Sequence, residues 1–134
     1  MAVGGGVMLS PIPRRILRDT ATFSVPAGFD RYQKPQNAAT YTVANVHLQA
    51  DNSTHKTPQN TEVTLRGVLF IDARYSTPAL DYAALQEAAQ AAGGVMTVTV
   101  VNKRGSRSGP YDVVVVDGLP DDEDNLHHWE IGVV

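Results

Sequence analysis

Apolar side chains recur at every second position through much of this chain, as they do in strands that turn one face to a core. Ala21, Phe23 and Val25 form one such face in Thr20 to Val25, which Pro26-Ala27-Gly28 ends. Tyr41 to Gln49 predicts a second strand, although its apolar parity slips from Tyr41 and Val43 to Val46 and Leu48. A β-bulge at Ala44 or Asn45 would absorb that slip. Glu62 to Asp72 sets Val63, Leu65, Leu69 and Ile71 on one face, and beyond Gly67 it adds Val68 and Phe70 on the other. Such a strand leaves a solvated edge and enters a region covered on both sides, with Gly67 easing the bend. Val95 to Val101 and Tyr111 to Val116 pair as a hairpin around Asn102 to Pro110, and Val113 to Val116 reads as buried on both faces. In Asn125 to Val134, Trp129, Ile131 and Val133 alternate with His128, Glu130 and Gly132. An apolar face carrying the sole Trp should close a core.

One stretch has a different period. Thr77 reads as an N-cap and Pro78 as the first helical residue of an alanine-rich helix that ends at Gly93-Gly94. Its stripe of Leu80, Ala84, Leu85, Ala88, Ala89 and Ala92 allows close packing but supplies little burial per turn. Phe29 to Asn37 is polar and turn-like. Ala50 to Asn60 has no apolar residue larger than alanine and no period, which predicts a long exposed loop, of a length that in compact domains either serves a function or is disordered. The start, with Gly4-Gly5-Gly6 and then Pro11 and Pro13 among Ile12, Ile16 and Leu17, predicts an extended arm. That arm lies either on its own domain or on a neighbouring subunit, with Arg14, Arg15 and Arg18 meeting acidic groups. The whole is mainly β: a small antiparallel β-barrel with one short α-helix, a long inter-strand loop and an extended N-terminal arm. Residues 1–18 form the flexible arm and residues 19–134 a single domain.

Composition narrows the function classes. A formal net charge of −3 argues against the broad attraction to phosphate that nonspecific nucleic-acid binders use. The absence of cysteine removes disulfides, thiolate metal sites and cysteine nucleophiles together. The apolar runs are too short to span a bilayer and Met1 to Leu9 does not resemble a signal peptide, so no membrane partner is expected and the chain should stay in the cytosol until it assembles.

Candidate chemistry is sparse. His127, His128 and Glu130 invite a metal reading, with His47 or His55 as further ligands, but adjacent residues in a strand point to opposite faces, so the two imidazoles should not share an ion. The alternative is a rim or interface pair of His128 and Glu130. Asp121-Asp122-Glu123-Asp124 lacks the ligand spacing of a calcium loop, and there is no phosphate-binding glycine loop or nucleophile elbow. No metal, cofactor or catalytic residue is therefore assigned, and an enzyme is not expected. The basic tip with Lys103, Arg104 and Arg107 is either a solvated turn or a contact to an acidic surface or to phosphate. A second class, an oligonucleotide-binding barrel, would need free aromatics, and only Tyr32, Tyr75 and Tyr111 remain for stacking.

Four features in order resemble the head-completion (stopper) minor capsid proteins of tailed bacteriophages. They are Pro11-Ile12-Pro13-Arg14-Arg15-Ile16-Leu17, the phrase Val68-Leu69-Phe70-Ile71-Asp72 followed by Ser76-Thr77-Pro78, the late hairpin, and the ending Pro120 through His127-His128-Trp129-Glu130. The resemblance implies a homo-oligomeric ring in the virion neck, six-fold in preference to twelve-fold, that closes the DNA channel and joins the portal and adaptor to the tail terminator. A tail-completion role of the terminator kind is the nearest alternative. DNA would pass through the lumen without specific binding. The resemblance places a channel loop at Asp51, Asn52, Ser53, Thr54, His55, Lys56, Thr57 and Gln59. Ring contacts are expected at Ile12, Arg14, Arg15, Ile16, Leu17 and Arg18, and contacts to a neighbouring ring or the tail at Lys103, Arg104, Arg107, His128 and Glu130.

Overall fold

The computed structural model describes residues 14–26, 39–56, 62–121, 123 and 125–134, the side chains of Arg14 and His55 excepted. After a turn of 3-10 helix at Arg14–Ile16, the elements are β1 (Asp19–Val25), β2 (Ala39–Ala50), β3 (Thr54–Lys56), β4 (Glu62–Thr64), β5 (Gly67–Asp72), α1 (Tyr82–Ala91), β6 (Thr97–Val101), β7 (Arg107–Pro120) and β8 (Leu126–Val133). Six strands close an antiparallel barrel in the order β1-β2-β5-β8-β7-β6, while β3 and β4 form a separate two-stranded ribbon. Closure removes the unpaired strand edges that an open sheet would expose.

Alternation carries the core as the sequence predicts. Ala21, Phe23 and Val25 of β1, Val43 and Val46 of β2, Leu69 and Ile71 of β5, Val98 and Val100 of β6, and Ile131 and Val133 of β8 are all buried. Trp129 packs against this cluster while remaining partly exposed. The largest buried side chain, however, is Tyr82 of α1. Its ring lies 5.1 Å from that of Phe23 and 5.4 Å, edge-on, from that of Trp129, so the helix closes the barrel with one aromatic plug.

The predicted bulge is at Asn45. Asp19 pairs with Val46 and Thr20 with Ala44, so Asn45 is the extra residue, and its φ of 63° lies where Asn is tolerated better than most residues. A buried polar cluster holds this distortion. The Asn45 amide nitrogen donates to the Tyr75 carbonyl at 2.9 Å, and the Ser76 hydroxyl donates to the Asn45 carbonyl while accepting from the Asp72 N–H at 2.9 Å. The Asp72 carboxylate in turn accepts from the N–H groups of Arg74 and Tyr75 at 2.7 and 3.1 Å. Asp72 and Ser76 are thus buried without being unsatisfied, as burial of polar groups requires.

Several expectations need correction. The helix starts at Tyr82 rather than at Pro78: the N–H and C=O of Thr77 are both bonded to Ala44, and the Asp81 side chain accepts from the Ala84 N–H at 3.1 Å to cap the first turn. Its inner face is accordingly Tyr82, Leu85 and Ala89, while Ala84 and Ala88 are exposed. The segment Glu62 to Asp72 is two strands, broken at Leu65 and Arg66. In Val113 to Val116 only Val113 is fully buried, because the outer face of β7 is open to solvent. Phe70 faces outwards, stacked between His47 and His128 rather than set in the core. The long loop predicted for Ala50 to Asn60 is in part the ribbon strand β3. The turn-like stretch Phe29 to Asn37 lies outside the described residues.

Candidate functional site

Three surface features collect the residues singled out by the sequence. The first is a groove of about 590 Å³ between the end of the N-terminal arm, the C-terminal part of β2 and the β6–β7 turn. Strand register builds it. Thr20 pairs with Val101 and Asp19 with Val46, so the arm that precedes β1 runs beside the turn that follows β6. Arg15 and Arg18 from the arm and Lys103 and Arg104 from the turn therefore line one cleft, with Ile16 and Leu48 as its apolar part. The turn is tight: the Asn102 side-chain oxygen accepts from the N–H groups of Arg104 and Ser106 at 2.9 and 3.0 Å, and Gly105 adopts φ 86°. Asp19 also lines the cleft, with a carboxylate oxygen accepting from the Leu48 N–H at 2.9 Å. Among the described residues none of the four basic side chains is ion-paired.

The structure separates residues that the sequence grouped. Leu17 is buried against its own chain, whereas Arg15, Ile16 and Arg18 face outwards. Arg107 belongs to β7, opposite Val101, and does not line the groove. Ile12, Thr57 and Gln59 lie outside the described residues, and Arg14 is described only as the start of the 3-10 turn.

The second feature is the β3–β4 ribbon, in which Thr54, His55 and Lys56 pair with Thr64, Val63 and Glu62. It prolongs the β2–β5 pairing past the barrel through hydrogen bonds from the Asp51 N–H to Arg66 O at 3.2 Å and from the Leu65 N–H to Ser53 O at 3.0 Å. Asp51 fixes the first bend, since its carboxylate accepts from the backbone and the hydroxyl of Ser53 at 2.8 and 3.0 Å. Leu65 anchors the root, buried over Gly132, where an added Cβ would come within 2.9 Å of it. Beyond that anchor Asn52, Ser53, Thr54, Lys56, Glu62 and Thr64 are exposed.

The third feature is the outer face at the start of β8. Pairing runs from Leu119–His128 directly to Pro120–Leu126, so His127 is an extra residue in the strand. This bulge overturns the expectation that His127 and His128 point apart: their Nδ1 atoms are 2.8 Å from one another, and His128 Nε2 is 2.8 Å from a Glu130 carboxylate oxygen. A carboxylate oxygen accepts, so His128 donates through Nε2, and one of the two facing Nδ1 atoms donates to the other. These hydrogen bonds join His128 to Glu130, with His127 as a third member. Of the two further candidates, His47 is set apart from His128 by Phe70, and the His55 side chain lies outside the described residues. Among the described residues no group of three or more His, Asp or Glu side chains is placed to hold a metal ion. No helix among them is long and apolar enough to cross a membrane.

The model of the minor capsid protein family matches residues 13–133, nearly the whole chain, and the protein belongs to that family. It is thus a structural component of the bacteriophage virion. No curated protein and no solved structure gives a match.

Proposed function

We propose that this minor capsid protein is the stopper of the head–tail connector, forming a ring that closes the DNA channel after packaging and joins the portal and adaptor to the tail. The observation that carries this reading is the ribbon. Its strands leave the barrel as a continuation of β2 and β5; among the described residues beyond Leu65 none of its side chains is buried, and the exposed ones are polar or charged. A projection of that kind has a use where it meets copies of itself across a narrow lumen and can be displaced by DNA. The net charge of −3 suits a lumen through which DNA slides without being held. Six-fold symmetry is the leading expectation and twelve-fold the other.

The test is a phage whose gene for this chain is interrupted. A stopper predicts heads that package DNA and then lose it, restored by supplying the chain in trans. Stable, full heads carrying tails of irregular length would point instead to a terminator role, and normal infectious virions would refute both.

A further inference from the structure

The two turns that bound β7 carry opposite charge. The basic groove opens at the turn before Arg107, and the acidic run Asp121-Asp122-Glu123-Asp124 follows Pro120, so β7, 14 residues long, separates them by roughly 40 Å. Each end also bears an exposed apolar residue. Ile16 is 42% exposed at the groove and Leu126 is 42% exposed beside the acidic turn, and these are two of the three large apolar side chains exposed among the described residues.

We infer that the groove formed by Arg15, Ile16, Arg18, Lys103 and Arg104 receives Asp121, Glu123 and Leu126 of a second copy of this chain. Groove and turn are different surfaces, so the contact is head-to-tail, the kind that closes into a ring when the rotation per subunit allows. This inference rests on the ring reading above and gives it a specific seam. It also reassigns Lys103 and Arg104 from a neighbouring ring to the neighbour within the same ring. Charge complementarity selects the occupant: the four basic groups outnumber the single carboxylate of Asp19, which is bonded to the Leu48 N–H. Duplex DNA is the competing occupant, but its phosphates offer no partner for Ile16. Asp121 is held in place, its carboxylate accepting from the N–H groups of Glu123 and Asn125 at 2.8 and 3.0 Å, and Glu123 is exposed.

The test uses the full chain in sedimentation velocity, at low and high salt, with a Lys103→Glu/Arg104→Glu variant and carbodiimide coupling of isotopically mixed chains. The native chain should associate more strongly at low salt. The variant, whose thermal melt should match because the turn is held by backbone bonds to Asn102, should associate at least about tenfold more weakly. The native coupling should join Lys103 of one copy to a carboxylate of the 121–124 turn of another. Unchanged association of the variant, a native chain that stays monomeric, or coupling of Lys103 elsewhere would each overturn the seam. So would loss of duplex DNA binding in the variant with self-association intact. Rings that persist in the variant would remove this contact while leaving the stopper reading to the gene-interruption experiment.

Discussion

The barrel and the ribbon are made of the same hydrogen-bonded ladder and differ in what lies beneath it. Around the barrel, every strand adds at least one buried apolar side chain to a single core, and Tyr82 closes that core from the helix. In the ribbon, Thr54 and Thr64 meet through hydroxyls 3.4 Å apart, and the nearest buried residue is Leu65 at the root. Isolated two-stranded ribbons are marginal in water, whereas a closed sheet over a core is cooperative. The difference teaches that stability and projection are divided between two parts of one chain: the barrel holds the core, and the ribbon projects from it with little burial of its own.

Breaking the frame should have the largest effect. Phe23→Ala opens a cavity between β1 and Tyr82 and is expected to cost about 3–5 kcal/mol in denaturant unfolding. Ser76→Ala removes both hydrogen bonds of a buried hydroxyl and leaves the Asp72 N–H without that partner, so a loss of about 1–3 kcal/mol is expected by the same measurement. Tyr82→Phe should act in the opposite direction. The Tyr82 hydroxyl is buried with no hydrogen-bond partner among the described residues, and its removal should stabilise by about 1 kcal/mol. Burial also pushes the Tyr82 phenol above its ordinary value of 10.0. The unfolded chain then ionises first, so this group's contribution is intact below about pH 10 and is lost as pH rises towards the folded value. Tyr82→Phe should flatten that alkaline decline. The smallest effect belongs to the ribbon: Thr54→Ala or Thr64→Ala should change global stability by less than about 0.5 kcal/mol. Hydrogen exchange should show ribbon amides opening well before those of β1. A large loss from either threonine would mean that ribbon and frame form one cooperative unit.

The same division explains what could be read from the chain. Period-two alternation located the barrel strands, and the parity slip between Val43 and Val46 located the Asn45 bulge, because a core records its strands in apolar spacing. Only half the ribbon left such a record: β4 was legible as the start of Glu62 to Asp72, whereas Thr54–Lys56, with no apolar alternation and no core to face, read as loop. The helix start was misplaced because Thr77-Pro78 carries local capping chemistry that the tertiary bond to Ala44 overrides. Tyr82 was overlooked since a lone aromatic among alanines gives no period. The basic groove was invisible for another reason. Arg15 and Arg18 meet Lys103 and Arg104 only through the register of β1 with β6, and no local pattern encodes a long-range register. At His127 the strand rule itself misled, because a bulge turns adjacent side chains to one side.

The most direct test of the stopper assignment is a reconstruction of the virion neck at a resolution that traces strands. It should contain a ring of these six-stranded barrels below the portal and adaptor, with the β3–β4 ribbons directed at the axis. Barrels at the tail tip or on the capsid shell, or ribbons directed away from the lumen, would contradict it.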